Sequence, residues 1–161
     1  MDGLALLYPG ICAKVQPSWW QRRLMALGLS LGKGSERVPV PLDDPALFTG
    51  EPDWQEYIRN DEFTIHRVSL DFLKASLDLE QAIEAEASRL KAPLLMMLAG
   101  QDDIIDNERT LRLLTRFGAP QENLIVYNEA RHTLEFEKNR REIFSDYLEW
   151  LNQLCRKPQN V

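Results

Sequence analysis

Two stretches of this chain hold residue types able to move protons. Gly100-Gln101-Asp102-Asp103-Ile104-Ile105-Asp106 follows the apolar run 94–99, and Asn128-Glu129-Ala130-Arg131-His132-Thr133 follows the apolar run 124–127. A carboxylate beside an imidazole fixes the ring tautomer and stabilises the imidazolium. The second ring nitrogen is then free to act as a general base. An acid of the first stretch and His132 of the second are the candidate acid and base. Each stretch also has a plainer use. A loop histidine is usually solvated, and Asp106 suits the N-cap of a helix over 107–117. What favours the chemical reading is placement, because ligands of open parallel sheets bind beyond the carboxyl ends of the strands. Neighbouring strands lie roughly 5 Å apart, within reach of a carboxylate–imidazole hydrogen bond.

The elements that must position these groups follow from pattern. Leu4-Ala5-Leu6-Leu7-Tyr8, closed by Pro9-Gly10, reads as a fully buried strand. Pro17-Ser18 opens a helix that carries Trp19, Trp20, Leu24, Met25, Leu27, Leu29 and Leu31 and stops at Gly32. Pro39, Pro41, Pro45 and Pro52 mark an extended loop over 33–53, and Asp53 to Asn60 forms a short helix. Residues 69–90 carry apolar positions at helical spacing. A strand over 94–99, a helix over 106–117, a strand over 124–127 and a final helix over 137–155 complete the chain. Alternating strands and helices imply parallel pairing with right-handed crossovers. The class is therefore α/β, with about three parallel strands, flanking helices and a helical, proline-rich insertion after the first strand.

Composition excludes several functions. The 161 residues carry 19 basic and 25 acidic side chains, a net charge of −6. A binder of nucleic-acid backbone needs clustered Lys and Arg, so no nucleic-acid partner is expected. No apolar run approaches the roughly 18 residues of a transmembrane helix. The start lacks the basic leader and small-residue cleavage site of a signal peptide. Cys12 and Cys155 stand far apart, outside any Cys/His cluster, and read as reduced thiols in a cytoplasmic protein. No cofactor motif is present. Asp102, Asp103 and Asp106 do not meet a calcium-loop template, so no metal is expected. His66 reads as structural or solvated. Trp19 and Trp20, beside Leu24 and Leu27, read equally as an apolar lid for an acyl chain or as ordinary packing of a helix on the core.

The strings Pro93-Leu-Leu-Met-Met-Leu-Ala-Gly-Gln-Asp-Asp103 and Ala130-Arg-His132-Thr-Leu-Glu-Phe-Glu, followed by a helix ending Tyr147-Leu-Glu-Trp150-Leu, resemble the second half of an α/β-hydrolase. The resemblance is to the serine aminopeptidase, lysophospholipase and monoacylglycerol lipase branch, and it runs over nearly the whole chain. It implies a partial α/β-hydrolase fold, with residues 1–10 and 69–161 as core and residues 11–68 as cap or lid. It implies that Asp103, three positions after Gly100, is the triad acid, with the adjacent Asp102 as runner-up, and His132 the triad base. The implied reaction is serine-dependent hydrolysis of carboxylic esters, lipid esters among them. The alternative is a non-catalytic α/β interaction domain with hydrolase-like strings.

One part of the pattern departs from this family. A nucleophile elbow is Gly-x-Ser-x-Gly on a sharp turn between a buried strand and a helix. Gly28-Leu29-Ser30-Leu31-Gly32 matches in letters, but an amphipathic helix precedes it and a proline-rich loop follows. Ser30 is therefore read as part of a lid helix. The expectation is a C-terminal portion of a longer hydrolase, supplying acid and histidine without the elbow and inactive alone. Its first strand, at 3–8, would then present an open edge suited to homo-oligomer formation.

Overall fold

The structure, a computed structural model, describes residues 3–120 and 122–156. Three parallel strands, β1 (Leu4–Leu7), β4 (Leu94–Ala99) and β5 (Glu122–Tyr127), form a sheet in the order β1-β4-β5. Leu4 stands opposite Leu94, and Leu94 opposite Glu122. A separate antiparallel ribbon joins β2 (Arg37–Pro39) to β3 (Arg67–Ser69). The helices are α1 (Trp19–Ser30), α2 (Pro52–Asn60), α3 (Leu70–Glu86), α4 (Asn107–Leu114) and α5 (Arg140–Arg156).

The central strand explains the layering. Every residue of β4 is buried, as expected for a strand paired on both sides and covered on both faces. Its alternating side chains feed two cores. Leu95, Met97 and Ala99 pack with Tyr127, Leu134, Ile143 and Trp150, so α5 covers that face. Leu94, Met96 and Leu98 pack with Leu111, Leu114 and Phe117, so α4 covers the other. The fold is thus α/β, with a three-stranded parallel sheet between helices.

Several boundaries differ from the sequence reading. β1 ends at Leu7, and its residues are half-buried, because it pairs with β4 alone. The ladder closes as Tyr8 leaves it with a positive φ of 33°. The loop over 33–53 holds β2, whose partner β3 is donated from just before α3. Three-residue strands in a ribbon carry too little periodicity to be seen in sequence. The long helix ends at Glu86 and continues as a 3-10 turn over Ala87–Arg89. The last helix begins at Arg140, behind a 3-10 turn over Leu134–Phe136. Ser18 caps α1 with a reciprocal bond to Gln21, as Pro17-Ser18 predicts. Among the described residues no helix is long and apolar enough to cross a membrane.

Candidate active site

Both proton-handling stretches emerge at the carboxyl ends of β4 and β5, side by side. Their closeness depends on Gly100. Its N–H donates to Tyr127 O at 2.8 Å, and Gln101 N donates to Ala130 O at 2.9 Å. A Cβ on Gly100 would stand 2.5 Å from Asn128 Cα and 2.6 Å from Asn128 O. Glycine is the residue that lets these turns touch.

The turn after β4 then separates two adjacent carboxylates. Asp102 points inward. Its Oδ1 accepts from Ile104 N and Ile105 N, each at 2.8 Å, and its Oδ2 lies 2.9 Å from His132 Nδ1. The Asp102 side chain is 1% exposed and that of His132 13%. Asp103 points outward at 55% exposure, 3.0 Å from Lys14 Nζ and 3.9 Å from Arg131 Nη1. The expected Asp103–His132 contact is therefore not made, and Asp102 takes its place. The reason lies in the turn itself, where Asp102 folds back to cap the next two free N–H groups. Ile105, three residues on, is itself buried.

Burial pushes the Asp102 carboxyl toward the neutral form. The hydrogen bonds from His132, Ile105 and Ile104, with the attraction of the His132 ring, outweigh burial and hold it below the ordinary carboxylate value. A lowered pKa stabilises the fold above pH 3.8, and this contribution is lost as pH falls further.

The imidazole is fixed by more than its acid. The Tyr8 ring meets it edge-on with centroids 4.9 Å apart, and Phe48 does so at 6.1 Å. Tyr8 donates its hydroxyl to Glu135, whose oxygens lie at 2.6 and 2.7 Å. The backbone of the histidine loop is also held. Thr133 N donates to Phe48 O, Arg131 Nη1 to Ala46 O, and Arg131 N to the buried Glu137. Tyr8, Phe48, Glu135 and Glu137 were not read from the sequence as site residues. Tyr8 alone had a usable signal, since it ends a strand on the same rim.

Chemically, the arrangement is an imidazole held on Nδ1 by an ionised, buried carboxylate. Among the described residues Nε2 has no hydrogen-bond partner. Ser30 is elsewhere, in the last turn of α1, where its hydroxyl donates to Leu27 O at 2.8 Å. That is a helix terminus and not a strand–turn–helix elbow. His66 pairs with Asp43 at 2.7 Å on the exposed ribbon. Cys12 and Cys155 are both free, the first buried and the second exposed. Among the described residues no group of three His, Cys, Asp or Glu side chains is placed to hold a metal ion.

A parallel sheet flanked by helices, with an acid and a histidine on the turns after adjoining strands, is the arrangement found in the second half of an α/β-hydrolase. The family described as serine aminopeptidase, S33, matches residues 1–139, and the chain belongs to it. Among solved structures it is similar to the monoacylglycerol lipase of Paleococcus ferrophilus, with a TM-score of 0.82 and 23% identity over 96% of this chain and 60% of that one. It is also similar to a soluble variant of monoglyceride lipase from Saccharomyces cerevisiae bound to a substrate analogue, with a TM-score of 0.71 and 18% identity over 95% of this chain and 56% of that one. A structure of the metagenome-derived lipolytic enzymes LipS and LipT matches with a TM-score of 0.68 and 12% identity over 95% and 56% of the two chains. The chain thus spans less than two thirds of the solved structures it matches. No curated protein matches it in sequence.

Proposed function

We propose that this chain supplies the acid and base of a serine hydrolase acting on carboxylic esters, with lipid esters such as monoacylglycerols or lysophospholipids as the substrate class. The observation that carries the reading is the Asp102–His132 pair, at 2.9 Å on the carboxyl rim of adjoining parallel strands. In this scheme Asp102 orients His132, and His132 Nε2 takes the proton of a serine hydroxyl as that oxygen attacks the ester carbonyl. The imidazolium then returns the proton to the leaving alcohol, and water hydrolyses the acyl-enzyme by the same route. Asp102 replaces Asp103 as the proposed acid.

The nucleophile in this reading is a serine outside the 161 residues, since Ser30 is committed to helix α1. Residues 1–10 and 69–161 act as core, and residues 11–68 as cap. The open edge of β1 is proposed to pair with a second copy when no other strand covers it. The free cysteines suit a cytoplasmic setting.

Fluorophosphonate labelling of the native protein carrying this sequence, with the adduct mapped by mass spectrometry, tests the reading. The expected adduct is on a serine outside these residues and is lost in Asp102→Asn and His132→Ala. An adduct on Ser30 overturns the assignment of the nucleophile. No adduct on any species carrying this sequence favours a non-catalytic α/β interaction domain.

A further inference from the structure

The imidazole of His132 stands among several carboxylates, and all but one of its neighbours are occupied elsewhere. Asp102 holds Nδ1 at 2.9 Å. Asp103 pairs with Lys14 and lies toward Arg131. Glu137 accepts from Arg131 N at 3.1 Å, and Glu129 from Gln101 Nε2 at 3.3 Å. Glu135 differs. Among the described residues no cationic side chain pairs with it, and both of its oxygens meet one hydroxyl, that of Tyr8. The ring of the same tyrosine lies edge-on against His132, with centroids 4.9 Å apart. A single phenol therefore separates a half-buried carboxylate from the general base.

Tyr8 reaches this place through an unfavourable backbone. Its φ of 33° is positive, and among the described residues it is the one non-glycine residue so placed. A bulky side chain in that region is rare and costs free energy, and such outliers cluster at functional sites. The N–H of Tyr8 still closes the ladder on Met97 O at 2.8 Å. The chain leaves the strand at this residue, with the ring against His132 and the hydroxyl on Glu135. Burial, then the bond and charge of Glu135, keep that hydroxyl protonated, so it remains a donor throughout the neutral range.

We propose that Tyr8 is a positioning residue for His132: its ring walls the imidazole, and its hydroxyl tethers Glu135, so that Asp102 is the one carboxylate the imidazole meets. The proposal rests on the catalytic reading of the Asp102–His132 pair. An imidazole can donate from either nitrogen, and where its proton sits follows the acceptors in reach. A released Glu135 draws a proton to Nε2, the nitrogen that must be bare to take a proton from the serine. Tyr8 thus acts through His132 and Glu135, not on the ester. Lys14 holds Asp103 off in the same manner, so the carboxylate on either side of the pair has its own tether.

Imidazole nitrogen NMR of the native protein carrying this sequence tests it, at a pH where the wild-type ring is neutral and with His132 assigned by its loss in His132→Ala. The wild type is expected to carry a proton on Nδ1 and none on Nε2. Tyr8→Phe keeps the ring and removes the tether. It is expected to place a proton on Nε2 in at least about a tenth of molecules, as the other tautomer or as an imidazolium between two carboxylates. Tyr8→Phe/Glu135→Ala is expected to restore the wild-type pattern, which a loss of packing alone would not do. Tyr8→Phe removes a single oxygen from a half-buried side chain, so the fold is retained, and an unchanged circular dichroism spectrum verifies it. Two results overturn the proposal: Nε2 bare in Tyr8→Phe, or Nε2 protonated to the same extent in Tyr8→Phe/Glu135→Ala. These signals need no turnover. Failure of the catalytic reading shows separately, as a His132 Nδ1 proton unaltered in Asp102→Asn or as absent fluorophosphonate labelling.

Discussion

The rim of the sheet and the insertion between β1 and β3 hold their residues by opposite means. On the rim, burial specifies nearly everything. Asp102 is enclosed, Gly100 is pressed against Asn128, and the strand leading there is buried throughout. In the insertion, α1 and α2 have no buried residue. That region is held by a few fixed points: Lys14 on the acid turn, Gln16 on Glu80, Phe48 O on Thr133 N, and Trp54 stacked on Phe136 at 4.3 Å. Geometry accurate to a fraction of an ångström resides where packing is dense, and the insertion supplies surface.

The sharpest break of this contrast falls within one turn. In a complex that turns over an ester, Asp102→Asn is expected to lower kcat by about 10⁴-fold, since the wrong tautomer of His132 then faces the nucleophile. Asp103→Asn is expected to leave kcat within about threefold, as an exposed pair contributes little. Steady-state kinetics of both variants checks this, and the reverse order removes the assignment of the acid. In urea denaturation, Leu95→Ala is expected to cost about 2–5 kcal/mol through a cavity beneath α5. Leu24→Ala on the open face of α1 is expected to stay within about 0.5 kcal/mol. Gly100→Ala is expected to cost about 3 kcal/mol, because backbone at Asn128 cannot yield as a side chain does. Gly50→Ala meets open space, and about 0.5 kcal/mol bounds its effect.

The smallest effect concerns Tyr8. Burial first, then the hydrogen bond and the charge of Glu135, hold its hydroxyl protonated well above the ordinary tyrosine range. A raised pKa stabilises the fold below pH 10.0 and ceases to do so as pH climbs beyond it. Tyr8→Phe is expected to cost about 1 kcal/mol at neutral pH and to make alkaline unfolding less steep. Denaturation midpoints measured across the alkaline range read both.

Much of the rim was legible in sequence because burial writes a strong pattern. The runs 94–99 and 124–127, and the alternation of strand and helix around them, predict the parallel sheet and place His132 at its carboxyl edge. The choice between Asp102 and Asp103 was not legible. Adjacent residues differ by the direction of one turn, and that direction is set by backbone N–H groups at 104 and 105 and by Lys14 far upstream. The half-exposure of β1 matches the open edge expected from the family resemblance, but the run itself did not carry it. Leu4 to Leu7 read identically in a central strand and at an edge, because composition reports apolar character and not the number of neighbours. Glu135 and Phe48 escaped notice because their roles arise from contacts between distant segments.

The brace on the histidine loop has a consequence for how this molecule can diverge. Thr133 N and the Arg131 guanidinium are met by main-chain oxygens of Phe48 and Ala46, not by their side chains. Every amino acid carries that oxygen. Substitutions at positions 46 to 48 can therefore change the side chains that the insertion presents while its grip on the His132 loop persists, so the support is one that mutation at those positions does not erase.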